Sequence, residues 1–130
     1  MRSRTPGMWW GNAIEAPDPS ALAHFYSRLL GWPVGHEEPG TAIVAAAQEG
    51  PYLVFQQVDA ADWVPPVWPP VAGGQRAMMH LDFQVGDLEE AVGEALALGA
   101  TLAEHQPQDH VRVLLDPAGH PFCLCRDDGD

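Results

Sequence analysis

What most limits the folds open to this chain is that it approximately repeats itself at a spacing of 69 residues. Asp18, opening Asp18-Pro19-Ser20-Ala21-Leu22, has a counterpart in Asp87 of Asp87-Leu88-Glu89-Glu90-Ala91. Gly50 ahead of Tyr52-Leu53-Val54-Phe55 has one in Gly119 ahead of Phe122-Cys123-Leu124-Cys125. A repeat of this length is too long for a solenoid unit and too short for an ordinary independent domain, so two similar modules are expected to share one core. Function is then expected where they meet.

Each half reads as β-α-β-β-β. Residues 9 to 16 form a strand; Pro17 breaks it, Asp18 caps a helix from Pro19 to Leu30, and Leu22, Phe25, Tyr26 and Leu29 recur at helical spacing before Gly31. Strands are expected near Trp32 to Glu37, Thr41 to Gln48 and Tyr52 to Val58, separated by Pro39-Gly40 and Gly50-Pro51. In the second half the strand Met78 to Val85 precedes a helix from Leu88 to Leu98 that Gly99 ends. Strands near Thr101 to Gln106, Val111 to Leu115 and Phe122 to Arg126 follow. The modules therefore span about 8 to 58 and 78 to 127. Asp59 to Ala77, rich in proline and carrying Trp63 and Trp68, reads as an irregular connection, a linker or a lid.

Composition narrows the function classes. At 130 residues and 46% hydrophobic content the chain can bury one core, and it contains no apolar run long enough for a membrane span. The start lacks the apolar stretch of a secretion signal, so a cytoplasmic location is expected. A formal charge of −12 argues against nucleic acid as a partner and would draw in a cationic small molecule, although the same charge also serves solubility. The two cysteines, Cys123 and Cys125, are spaced as neighbours on one face of a strand, poorly placed for a disulfide, and are expected as thiols.

Alternation along the strands assigns faces. Leu81, Phe83 and Val85 turn toward the helix, leaving His80, Asp82 and Gln84 on the opposite surface; shifted by the repeat, Gly11, Ala13 and Glu15 take that place in the first module. Leu53 and Phe55 go to the core and Val54 and Gln56 away from it. Phe122 and Leu124 likewise face the helix, and Cys123 and Cys125 face away.

Four stretches carry a resemblance: Asp18-Pro19-x-x-Leu22-x-x-Phe25-Tyr26-x-x-Leu29-Leu30-Gly31-Trp32, His80-Leu81-Asp82-Phe83-x-Val85-x-Asp87-Leu88, Leu98-Gly99-Ala100 and Asp116-Pro117-x-Gly119-x-x-Phe122-Cys123-Leu124. In this order they resemble the vicinal oxygen chelate superfamily of glyoxalases, bleomycin resistance proteins and dioxygenases, and more narrowly its glyoxalase-like subgroup. The resemblance covers nearly the whole chain and implies an α+β fold, a single domain in which two βαβββ modules form curved mixed sheets around a central cup. It also implies a homodimer, sometimes with exchanged modules, while a compact monomer stays open.

The family's metalloenzymes take ligands from the first and fourth strands of each module. By the Asp18/Asp87 register those positions are Gly11, Val54, His80 and Cys123. Glycine and valine side chains offer no donor, so no metal and no other cofactor is expected, and glyoxalase I chemistry is not. His80 beside Asp82 is the candidate catalytic pair, as general base or hydrogen-bond donor; the alternative is a hydrogen bond within the sheet. Trp9, Trp63 and Trp68 are candidate walls for a planar or cationic ligand, or pins for the connection. Glu15, Gln56, Gln84, Cys123 and Cys125 complete the candidate ligand-binding set. Two functions follow: a small-molecule binder that sequesters a planar or cationic compound, or a lyase, isomerase or dioxygenase using His80 as base or with an atypical metal held by His80, Cys123 and Gln56 or Glu15. An accessory domain without chemistry is the third.

Overall fold

Asp18 and Asp87 each stop an extended segment and accept a hydrogen bond from a backbone N–H three residues on, Ala21 and Glu90 respectively, both at 3.0 Å. Such a cap satisfies one of the donors that every helix start leaves open and is worth about 1 kcal/mol. In the computed structural model, which describes residues 9–47 and 50–126, β1 (Trp10–Ala16) thus leads into α1 (Pro19–Leu30), and β5 (Leu81–Val85) into α2 (Leu88–Ala97). Gly31 ends α1 in the left-handed conformation at φ 72°, its N–H donating to the Ser27 carbonyl at 2.9 Å. That backbone conformation is open to glycine without a Cβ penalty.

The remaining strands of the first half are β2 (Val34–Glu38), β3 (Thr41–Ala45) and β4 (Pro51–Gln57); those of the second are β6 (Thr101–Leu102), β7 (Val111–Leu115) and β8 (Pro121–Arg126). Each half makes one four-stranded mixed sheet with the same order, β1-β4-β3-β2 and β5-β8-β7-β6, in which the first and fourth strands pair in parallel. The chain divides into two compact units, Met1–Trp63 and Val64–Asp130. No helix among the described residues is long and apolar enough to cross a membrane.

In the first unit α1 buries Leu22, Ala23, Phe25 and Tyr26 against Ala42, Val44, Leu53 and Phe55, and the Tyr26 ring stacks on Phe55 at 5.6 Å. Full burial of rings this size contributes about 2–3 kcal/mol each. In the second unit Leu88 and Ala95 of α2 are buried, and Leu114, Phe122 and Leu124 form the sheet side of the core.

Several strands are shorter than the alternation predicts. The strand expected from Met78 begins at Leu81, with Met78 and Met79 87% and 78% exposed. The one expected from Thr101 to Gln106 stops at Leu102 because the Gln106 side chain takes over the ladder. Its amide donates to the carbonyls of Ala103 and Val113, and its oxygen accepts from the Val113 N–H, all at 2.8 Å. The strand from Thr41 ends at Ala45, and Gln48 lies outside the described residues.

Candidate functional site

Parallel pairing of β5 with β8 sets Asp82 beside Cys123 and Gln84 beside Cys125. His80, two residues ahead of Asp82, turns its Nε2 to the Asp82 Oδ1 at 3.1 Å. One ligand atom each from His80, Asp82 and Cys123 lies within 4.8 Å of the others. The sheet face turned away from α2 thus gathers five of the candidate residues named from sequence: His80, Asp82, Gln84, Cys123 and Cys125.

A sixth, Trp68, packs beside the two cysteines. The connection belongs largely to the second unit, and Trp68 packs with Val111 and Cys125 against a buried cluster of Ala103, Val113 and Cys123. Its Nε1 donates to the His105 carbonyl at 3.3 Å, and Pro65 lies against the Gly119 turn, so the segment is seated on this sheet at two points. Cys123 is 9% exposed as a result, whereas the side chains of His80 and Asp82 are 46% and 62% exposed. Burial, and after it the Asp82 carboxylate as charge and as hydrogen-bond partner, pushes the Cys123 thiol up to about 12; burial and then Asp82 also raise Cys125. Both cysteines are free thiols and, protonated, weak nucleophiles.

In the first unit the face turned away from α1 pairs Gly11 with Tyr52, Ala13 with Val54, and Glu15 with Gln56. Glu15 and Gln56 are adjacent and exposed at one end of this row. At the other end the Tyr52 ring lies over Gly11: a Cβ there would sit 2.4 Å from the Tyr52 carbonyl oxygen and 2.5 Å from the ring. Trp9, 59% exposed, tilts against Tyr52 with ring centroids 5.0 Å apart. Trp63, half-buried, follows the turn Asp59–Asp62, its N–H directed at the Ala60 carbonyl.

Tyr52 is the residue that sequence reasoning missed. Its signal was present, since a glycine inside a strand marks a close approach and Tyr52 is its cross-strand neighbour. Asp82 was read as a partner of His80 alone, although the register also places it against Cys123. Three other histidines serve as ties. His24 pairs with Glu37 at 3.2 Å, His36 with Glu38 at 3.4 Å, and His120 with Asp116 at 2.9 Å. The Ser20 hydroxyl donates to Glu37, and this bond, helped by His24 and opposed by desolvation, lowers the Glu37 carboxyl.

Of the four metal positions implied by resemblance, two lie in each unit. Position 54 is apolar, and position 11 can hold no larger side chain because Tyr52 occupies that space. Only His80 and Cys123 of the four carry donors.

Two four-stranded mixed sheets, each with one helix and parallel first and fourth strands, define the glyoxalase/bleomycin resistance fold. The glyoxalase-like domain family matches residues 12–125, and the chain belongs to that family, within the vicinal oxygen chelate superfamily. A family enzyme from Burkholderia phytofirmans PsJN, described as a glyoxalase/bleomycin resistance protein/dioxygenase, is similar at 19% identity, with 89% of this chain and 95% of that one covered and a TM-score of 0.66. A putative glyoxalase from Bacillus halodurans is similar at 17% identity over 93% and 96%, with a TM-score of 0.67. TnmS3, an antibiotic binding protein from Streptomyces sp. CB03234, is similar at 18% identity over 91% and 93%, with a TM-score of 0.58. No curated protein matches the chain significantly.

Proposed function

We propose that this protein is a metal-independent binder that sequesters a planar, cationic small molecule. The observation that carries the reading is the fate of position 11. Where the family's metalloenzymes place a ligand, this chain has a glycine roofed by Tyr52, and the ring it admits extends an exposed aromatic surface with Trp9. Aromatic faces attract cations and planar guests, and a protein of charge −12 raises the local concentration of a cation. An antibiotic binding protein among the structural neighbours supports the class of function. Glu15 and Gln56, at the other end of the same row, are the polar groups assigned to orient the ligand. The protein is taken as a cytoplasmic homodimer, which light scattering across a concentration range checks.

Calorimetry and tryptophan quenching with cationic polyaromatic compounds, set against uncharged analogues of the same shape, test the reading. Preferential binding of the cations, weakened about tenfold by Tyr52→Ala, is the expected result, since loss of one cation–π contact of ~1 kcal/mol approaches that factor. Absence of binding in both series removes it.

A second reading rests on the 3.1 Å contact of His80 with Asp82: a glyoxalase-like lyase, isomerase or dioxygenase in which His80 takes a substrate proton and Asp82 stabilises the imidazolium. Turnover of a candidate substrate, abolished by His80→Ala, would replace the first reading.

A further inference from the structure

The second sheet carries a donor set that differs from the two-module arrangement. His80 immediately precedes β5, Asp82 lies within it and Cys123 is the residue beside Asp82 on β8, so all three come from two adjacent strands of one module. A tetrahedral ion with bonds of about 2.0–2.3 Å spaces its ligand atoms roughly 3.3–3.6 Å apart. The His80–Asp82 separation of 3.1 Å is already near that value, and the 4.8 Å limit on the set leaves about 1 Å of side-chain movement to close it. Cys125 points to the same face two residues further along β8.

The chemistry of the set selects the ion. Imidazole, one carboxylate and one or two sulfurs are too soft for magnesium or calcium and suit closed-shell cations of borderline or soft character. The site is unevenly exposed: His80 and Asp82 are open to solvent, while Trp68 packs against the Cys123 cluster. A dry wall beside a thiolate strengthens its bond to a cation.

We propose that the second module by itself binds one thiophilic divalent cation, Zn2+ or Cd2+, through His80 Nε2, an Asp82 carboxylate oxygen and Cys123 Sγ, with Cys125 or water as the fourth ligand. Binding exchanges the Cys123 S–H bond for a sulfur–metal bond and releases that proton to solvent; no electrons are transferred. The proposal goes beyond the small-molecule reading and does not depend on it, since no first-module residue takes part.

The full chain, reduced and freed of metal with chelator, is titrated with Co2+ and Cd2+ without any organic ligand, following thiolate-to-metal charge-transfer absorption and heat. One equivalent and a charge-transfer band are expected, with the band at least halved in Cys123→Ser and lost when Cys125 is replaced as well. Because Cys123 is buried and its replacement also perturbs packing, the surface variants His80→Ala and Asp82→Ala carry the decision. Each is expected to weaken binding at least tenfold, since even groups behind the ligands are worth ten- to a hundredfold. Glu37→Gln, at a second histidine–carboxylate pair, is expected to leave affinity unchanged. No band at one equivalent, full affinity in both surface variants, or an equal loss in Glu37→Gln overturns the proposal. Failure here leaves the organic-ligand titrations unaffected, so the two readings fall separately.

Discussion

The first module builds the face away from its helix around a glycine, and the second builds the same face around a thiol. Gly11 admits the Tyr52 ring and the row continues through Ala13 and Val54; the matching row in the second module runs His80, Asp82, Gln84 alongside Cys123 and Cys125. The turns that precede the fourth strands differ as well. In the second module Asp116, 3% exposed, accepts from the N–H groups of Ala118 and His120 at 2.9 and 3.0 Å and from His120 Nδ1 at 2.9 Å. The residue one repeat earlier is Ala47, which has no such acceptor. One backbone plan thus supports an aromatic surface in one copy and a polar surface with a thiol in the other.

The sharpest way to break this comparison is Asp116→Ala. Removing a buried acceptor leaves three donors without their partner at 1–3 kcal/mol apiece, partly recovered by water, so a net loss of about 3 kcal/mol is expected from urea unfolding. A loss under about 1 kcal/mol would mean that the turn does not hold the second module. Next in size, Gly11→Ala is expected to cost about 2 kcal/mol, because the new methyl meets the Tyr52 backbone as well as its ring and cannot be relieved by a side-chain rotation. The same measurement on Gly93→Ala, where a Cβ meets nothing within 4 Å, serves as the contrast and is expected to be neutral or stabilising.

A further expected effect is a pH dependence. The folded protein holds the Cys123 proton up to about 12, whereas an unfolded chain releases it near about 8.5. Stability from this group is therefore complete below about pH 8.5 and is lost as pH rises toward the folded value. The urea midpoint is expected to fall more between about pH 9 and pH 11 in the wild-type protein than in Cys123→Ser. Equal slopes would show that the thiol is not shielded as its burial indicates.

Much of the fold was legible in the sequence because its signals are local. The Asp18 and Asp87 caps, the apolar stripe of α1 and the Gly31 stop act within a few residues, and the observed α1 begins and ends where they place it. Strand ends were less legible. Gln106 shortens β6 through bonds to a residue seven positions away, and nothing in the alternation of residues 101 to 106 signals that. The site was legible as faces, through the period of two, but not as contacts. That Trp68 belongs with Cys123 depends on how the connection folds back, and Tyr52 becomes a site residue only once it lies opposite Gly11.

By itself the sequence determined that there are two like modules, which residues of each strand turn away from the helix, and that two of the four family metal positions lack donors. All of these follow from residue type and short-range periodicity. Only the tertiary structure decided that Tyr52 fills the space at position 11, that Asp82 stands between His80 and Cys123, and that Trp68 shields the thiol. These depend on strand register and on a packed connection, where the partners are set by the energy of burying surfaces far apart in the chain.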